Sequence, residues 1–446
     1  MPSLPLPLLA IACAVVMAAG AILAWRACGP RDAPLDPASP GRLFVLVFIA
    51  TTGVGSVLIT LSGEATGGGA VAAAGGLLAF GVGASLASAR WGRGSISAAP
   101  TGAVTSRQFR PIALAGLTVL GLAGYAAIAA RNGIPFLTAD AQATRLAYTG
   151  LAFDAFRWLV PPAALAALAL ALATPSRGRW IAAVLALGAV VGVMTLTASR
   201  ALPLELALEA GLVAWWAGVR PSRRVWAALG FAALVFFVGV QLLRVGPNGG
   251  FRDLPDVAAF VVTRTLDRIA MVQARTLELI TVQIPAQHDY YMGATWVRWL
   301  APLQGQAPPE ALGTWLFGRL FPGEPAGGFV TPGLIGELWA NGGPAAAFGG
   351  MAVFGVAVSW LGRVLGRFDA TAADRVLGAL LVVAVARTYA TSLNGFLLTA
   401  IVAVAWRVLA GRPALPAWLL PGRLSTGRLS ARTTSSAPGP GPDPEL

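Results

Sequence analysis

The sequence predicts an all-α protein that crosses a membrane about eleven times (10–12), with one long, partly helical outside loop. Three observations predict it. Apolar runs of about 18–22 residues recur along the chain, and ~20 helical residues span the hydrocarbon of a bilayer. Charge is scarce: 11% of the 446 residues are charged, 56% are hydrophobic, and the mean hydropathy is +0.71. A soluble chain of this size needs far more polar surface. The basic residues, all of them Arg, gather in short segments between the runs. An outer-membrane barrel would instead show short alternating segments.

The runs lie near 4–25, 42–62, 69–89, 111–130, 158–174, 180–197, 201–218, 225–243, 344–362, 376–391 and 396–410. The first has no basic residue ahead of it, so it reads as a span and not as a cleaved signal. Cys13 lies within it, which argues against a structural disulfide with Cys28. With the N-terminus placed outside, 20 of the 32 Arg fall on the inner face. Clusters such as Arg90, Arg93, Arg107 and Arg110, or Arg220, Arg223 and Arg224, set that orientation, because short cytoplasmic loops collect Arg. The net charge of +13 then reflects topology, and nucleic acid is not an expected partner. Residues 1–420 read as one transmembrane domain. Residues 421–446 are rich in Ser, Thr, Pro and Gly and read as a disordered cytoplasmic tail.

Two outside loops break the pattern, 131–157 and 244–332. Loops of the second length are functional or disordered, and this one is too rich in Leu, Ile, Trp and Tyr for disorder. The outer face holds the other 12 Arg, an excess that topology does not explain. In "VVTRTLDRIAMVQARTLELI", 261–280, a uniform helix would put Arg264, Arg268 and Arg275 on one stripe. Guanidinium forks bind phosphate in pairs of hydrogen bonds and keep their charge. Asp267 and Glu278 offer a plainer alternative, neutralising that stripe along the helix.

"LTASRALPLELALE", 196–209, places Arg200 at a sharp turn between two spans. Glu205 and Glu209 follow on one face of the next helix. Acids within spans face an interior or a wet cavity. They either position an anion held by Arg200 or form an ion-pair network with Arg387, which lies near the outer end of its own span. The first outside loop, "RNGIPFLTADAQATRLAYTG", brings Arg131, Asp140 and Arg145 and suggests a segment folded back towards the membrane. In "GGFVTPGLIGELWANGG", 327–343, Glu337 and Asn341 stand among small residues just ahead of a span. Such backbone is tolerated at membrane depth only where it lines a cavity. Glu337 then faces that cavity, or it serves as a cap for the helix that follows.

With one His, no Asp-x-Asp and no Walker-type loop, neither a multi-His metal site nor a Ser–His–Asp arrangement is expected. No cofactor is expected. Chemistry here would be metal-free, or would use a metal held by scattered carboxylates. It would rest on Arg electrostatics and one carboxylate.

"TPGLIGELWANGGPAAAFGGMAVFGVAVSWLGR" resembles the signature stretch of the bacterial oligosaccharide repeat unit polymerases, the Wzy-like O-antigen polymerase family. "TASRALPLELAL" resembles that family's Ser-Arg turn, and "NGIPFLTADAQATRLAYTG" its Gly-Ile-Pro loop. The three occur in the family's order. Pro344 within "NGGPAA" departs from its pattern. The resemblance implies an architecture related to the lipid-dependent (GT-C-like) glycosyltransferases. It implies a bacterial cytoplasmic-membrane enzyme with its site facing outside, acting on undecaprenyl diphosphate-linked oligosaccharide beside a flippase and a chain-length regulator. Arg200, Arg264, Arg268, Arg387 and Arg145 would bind the diphosphate, with Glu337 and Asp140 as the catalytic carboxylates. Glu205, Glu209, Arg275 and Asn341 would support them. A polysaccharide ligase would use the same logic. A transporter or flippase of lipid-linked sugars would spread charges along the spans at the midplane.

Overall fold

A computed structural model describes residues 5–29, 39–91, 109–138, 141–148, 150–220, 222–245, 254–297, 310–323, 328–366, 371–389 and 393–410. The predicted tail 421–446 lies outside them. The helices are α1 (Leu6–Ala27), α2 (Pro40–Phe48), α3 (Val54–Leu61), α4 (Gly68–Trp91), α5 (Pro111–Asn132), α6 (Ala141–Leu146), α7 (Leu151–Ala173), α8 (Arg177–Leu196) and α9 (Ala201–Trp216). Then come α10 (Arg223–Val245), α11 (Leu254–Leu266), α12 (Val272–Gln283), α13 (Ala294–Val297), α14 (Leu312–Leu320), α15 (Gly333–Gly366), α16 (Ala372–Arg387) and α17 (Leu393–Ala410). Two π-helical turns, Ile49–Gly53 and Asp267–Met271, join α2 to α3 and α11 to α12.

Each predicted span coincides with a helix. Seven of these stretches are long and apolar enough to cross a membrane: Leu6–Ala27, Pro40–Leu61, Gly68–Trp91, Pro111–Leu137, Leu151–Ala173, Arg177–Leu196 and Gly333–Leu365. Among the described residues the chain is all-helical, and its long apolar helices make it a multi-pass membrane protein. Helices α9 and α16 have 16 residues each, about 24 Å at 1.5 Å per residue, short of a ~30 Å hydrocarbon layer.

Local chemistry sets the helix starts. Pro40 and Pro111 occupy first-turn positions, where a missing N–H and a fixed φ suit a helix. Ser176 caps α8 by accepting from the Arg179 N–H at 3.3 Å, and Thr371 caps α16 by accepting from that of Asp374 at 3.1 Å. The start of α4 borrows its acceptor from elsewhere in the chain. Glu278 on α12 accepts from the backbone N–H groups of Thr66 at 2.7 Å and Gly69 at 2.6 Å.

Two cores result. One gathers residues of α5, α7, α8, α9, α16 and α17, the other residues of α1, α2, α4, α12 and α15. Helix α4 lies between α1 and α15 at glycine distance. A Cβ on Gly83 would meet Ala352 O at 1.9 Å, and one on Gly355 would meet Phe80 O at 2.2 Å. Small residues allow such backbone approach between membrane helices. Helix α16 packs against α2, α7, α9 and α17, and every residue from Ala372 to Ala386 is buried. A helix apolar on all sides belongs in the interior. Asp374 pairs with Arg407 at 2.8 Å near its start, and Arg387 closes its far end.

Two expected boundaries move. Helix α7 begins at Leu151, seven residues before the predicted 158, after Gly150 at φ 86°. Helix α15 begins at Gly333, not 344, so 333–341 is helical and not a re-entrant loop. The irregular backbone is confined to Gly342 and Gly343. Gly343 has φ 66°, and Tyr290 Oη lies 2.6 Å from where its Cβ would be. The freed carbonyls are satisfied: Tyr291 N donates to Ala340 O at 2.9 Å and Met292 N to Asn341 O at 3.1 Å. Pro344 then restarts the helix, where its missing N–H does no harm.

Candidate functional site

A crevice opens where the first core meets the loop between α5 and α7. It has two compartments. The mouth, about 220 Å³, is lined by Arg145, Tyr148, Phe153, Arg157, Ser199, Glu205 and Arg387. The deeper one is narrow, about 30 Å³, and is lined by Trp158, Pro161, Pro162, Met194, Glu209 and apolar residues of α16 and α17. Arg157, Leu202, Glu205 and Arg387 border both, so the two adjoin.

Each wall has a local cause. The loop after α5 folds onto itself: the Tyr148 hydroxyl donates to Gly133 O at 2.8 Å, and the Thr138 and Thr144 hydroxyls pair at 3.0 Å. Tyr148 packs edge-on against Phe153. Burial raises the Tyr148 pKa well above the usual phenol value, with Tyr125 beside it adding to the shift, so this group stays protonated. Arg145 rides on α6 in the same loop. The α8–α9 turn is tight, with Ala198 held at φ 53°, a conformation an alanine adopts only under tertiary constraint. The Thr197 hydroxyl braces that turn, donating to Met194 O at 2.6 Å and accepting from Ser199 N at 3.3 Å. On α7, Pro161 and Pro162 lack N–H groups, which leaves the carbonyls of Arg157 and Trp158 without their helical donors.

The charges are arranged around one ion pair. Arg387 Nη1 lies 2.8 Å from Glu205 Oε2, both side chains about one-fifth exposed. Glu209, one turn further along α9, is 9% exposed and borders the deeper compartment. The Arg157 guanidinium lies 5.0 Å from the Trp158 ring centroid, and its buried Nε has no hydrogen-bond partner, nor has Trp158 Nε1. Three guanidinium groups and two carboxylates therefore border one crevice. Such a set can hold a multiply charged anion and place a carboxylate beside it.

Of the expected residues, the structure brings together Arg145, Arg387, Glu205 and Glu209. Arg200 is half-buried at the start of α9, between Ser199 and Ala201, both of which line the mouth. Asp140 lies outside the described residues, as do the side chains of Arg264 and Arg268. The stripe expected across 264–275 needs correction. The π-helical turn at Asp267–Met271 interrupts the 100° progression between Arg264 and Arg275. Arg275 instead pairs with Asp267 at 2.6 Å and Glu64 at 3.3 Å, while Glu278 is taken up by the start of α4.

Glu337 also departs from expectation. It is 2% exposed and borders neither compartment. Its Oε2 accepts from Leu393 N at 2.6 Å, so it caps α17 and not the helix that follows it in sequence. The Thr295 hydroxyl also bonds its carboxyl. Asn341 is a brace: its amide donates to Thr295 Oγ1 at 2.6 Å and Glu337 O at 2.7 Å, and its Oδ1 accepts from Gly293 N at 2.8 Å. Sequence reasoning missed Arg157, Tyr148 and Trp158. Arg157 was placed at the edge of a span. Gly150, read as a helix start signal, would have put it nearly two turns inside α7.

No known protein family, curated protein or solved structure matches this chain. The site is therefore read from its own residues.

Proposed function

We propose that this protein polymerises undecaprenyl diphosphate-linked oligosaccharide repeat units into a surface polysaccharide by lipid-to-lipid glycosyl transfer. The observation that carries the reading is the crevice, where Arg145, Arg157 and Arg387 meet Glu205 and Glu209 at one end of an apolar helix bundle. The motifs quoted above for the Wzy-like family run through two of its walls, the loop with Arg145 and the α8–α9 turn. In this reading all eleven predicted spans cross the cytoplasmic membrane, in a GT-C-like arrangement, and the crevice opens outside.

In the proposed reaction, the acceptor hydroxyl oxygen attacks the anomeric carbon of the growing chain. The bond from that carbon to the diphosphate oxygen breaks, and its electron pair leaves with the lipid diphosphate. The three guanidinium groups meet that charge; one well-placed donor of this kind is worth ~3 kcal/mol. A guanidinium has five N–H donors, so a phosphate oxygen can share Arg387 with Glu205. The acceptor's proton passes to Glu205, the carboxylate that borders both compartments. Glu337 drops out of the catalytic set.

The test is direct. Purified protein is incubated with undecaprenyl diphosphate-linked oligosaccharide and the products are run on a gel. A ladder spaced by one repeat unit is expected. A single transfer to another acceptor would indicate a ligase, and movement between leaflets without a ladder a flippase. Either result sinks the polymerase reading.

A further inference from the structure

We infer that Glu337 is a positioning residue for Arg387, acting through the turn between α16 and α17. This rests on the reading of the crevice as the functional site. Arg387 is the last residue of α16, and the described residues after it, Thr388 and Tyr389, and Leu393 at the start of α17 are fastened to α15. On the near side, Leu334 N donates to Thr388 O at 2.8 Å. Thr388 is fully buried, its hydroxyl turned back on Val385 O at 2.7 Å. Gly333, at φ 67°, brings α15 so close that Tyr389 O lies 2.5 Å from where its Cβ would be. On the far side, the Glu337 carboxyl accepts from Leu393 N, the first residue of α17.

The anchor itself is braced. Thr295 and Asn341 tie Glu337 to the segment at 293–295. Gln273 Nε2 donates to Thr331 Oγ1 at 3.1 Å just ahead of α15. Glu337 is thus fixed before it fixes anything else. An acceptor at the first N–H of a helix satisfies a donor that has no partner inside that helix. Without it, the start of α17 loses an anchor beside the end of α16. A guanidinium displaced by about 1 Å can lower a rate ~10²-fold.

Three substitutions separate this role from direct chemistry. Glu337→Gln keeps an acceptor oxygen at the same reach and loses the ionisable group. Glu337→Asp keeps the acid but withdraws it by one methylene. Glu337→Leu keeps the volume and removes the acceptor. Positioning orders them Gln above Asp above Leu; a proton-transfer role puts Asp above Gln. Hydrogen exchange of the full-length protein in lipid nanodiscs should show faster exchange over 388–396 in the Leu variant and near wild-type exchange in the Gln variant. Ladder formation should fall less than ~3-fold for Gln and ~10²-fold for Leu. In an Arg387→Ala background, the Leu substitution should add no further loss. A Gln variant that exchanges like wild type but makes no ladder would overturn the inference, as would unchanged exchange in the Asp and Leu variants. If wild-type protein forms no ladder, the polymerase reading falls separately; the exchange order still decides whether Glu337 holds the turn.

Discussion

Glu205, Glu209, Glu278 and Glu337 lie in or beside the helix bundle, and the two halves of the molecule use them differently. In the half built from α5, α7–α9, α16 and α17, Glu205 and Glu209 face a crevice shared with three arginines. In the half built from α1–α4, α12 and α15, Glu278 and Glu337 cap the starts of α4 and α17. Glu209 and Glu337 are buried, and Glu205 and Glu278 half-buried. What separates them is the identity of the donor: a guanidinium beside open space, or a backbone N–H with no helical partner of its own. A lone acid in a hydrophobic segment marks a polar demand, and only its neighbours say whether a ligand or the chain makes it.

The largest expected effect comes from removing one arginine of the crevice. Arg157→Ala should slow ladder formation by about 10²–10³-fold, and Arg157→Lys should recover little of it if two-point phosphate contact matters. Size-exclusion and thermal melting should be unchanged; normal polymer from Arg157→Ala would erase the contrast between the halves. Next is Gly355→Ala in the capped half. Its new methyl meets the Phe80 carbonyl, and neither backbone has room to move, so a loss of about 3 kcal/mol is expected in unfolding measurements. A smaller effect follows from Glu205→Leu, which removes the carboxylate paired with Arg387 in a mostly buried place. Stability should fall by about 2 kcal/mol, and the double variant with Arg387→Met should regain much of that. The smallest belongs to Arg275→Ala. Its pair with Glu64 is exposed, 44% and 52% for the two side chains, so its melting should shift within the range of ~0.5 kcal/mol.

Much of the fold was legible because helices that meet lipid must carry long apolar runs. The helix starts at Leu151 and Gly333 were not, since charges and glycines there interrupt the run while tertiary contacts complete the helix. The π-helical turns left no periodic signal, and the supposed Arg264–Arg275 stripe failed for that reason. In the site, Arg387, Glu205 and Glu209 stood out as charges in the wrong solvent, and Arg145 as a charge in a loop expected to fold back towards the membrane. Arg157 did not, because it passed for an ordinary residue at a membrane edge. Glu337 stood out for the right reason, burial of an acid, yet its partner is a backbone N–H 56 residues away. No spacing rule in the sequence reaches that far.

Helix α16 has a consequence for how the protein tolerates change. With every residue from Ala372 to Ala386 buried, it is located by shape along its length and by ion pairs at its two ends, Asp374–Arg407 and Arg387–Glu205. Gly378 abuts the Trp216 ring, which lies 2.8 Å from where a Cβ would be. That contact is nine residues from Arg387, roughly 14 Å along the axis. A single methyl there would push the whole rod and carry the guanidinium with it. Plain alanines, valines and one glycine therefore help keep the aim of the crevice.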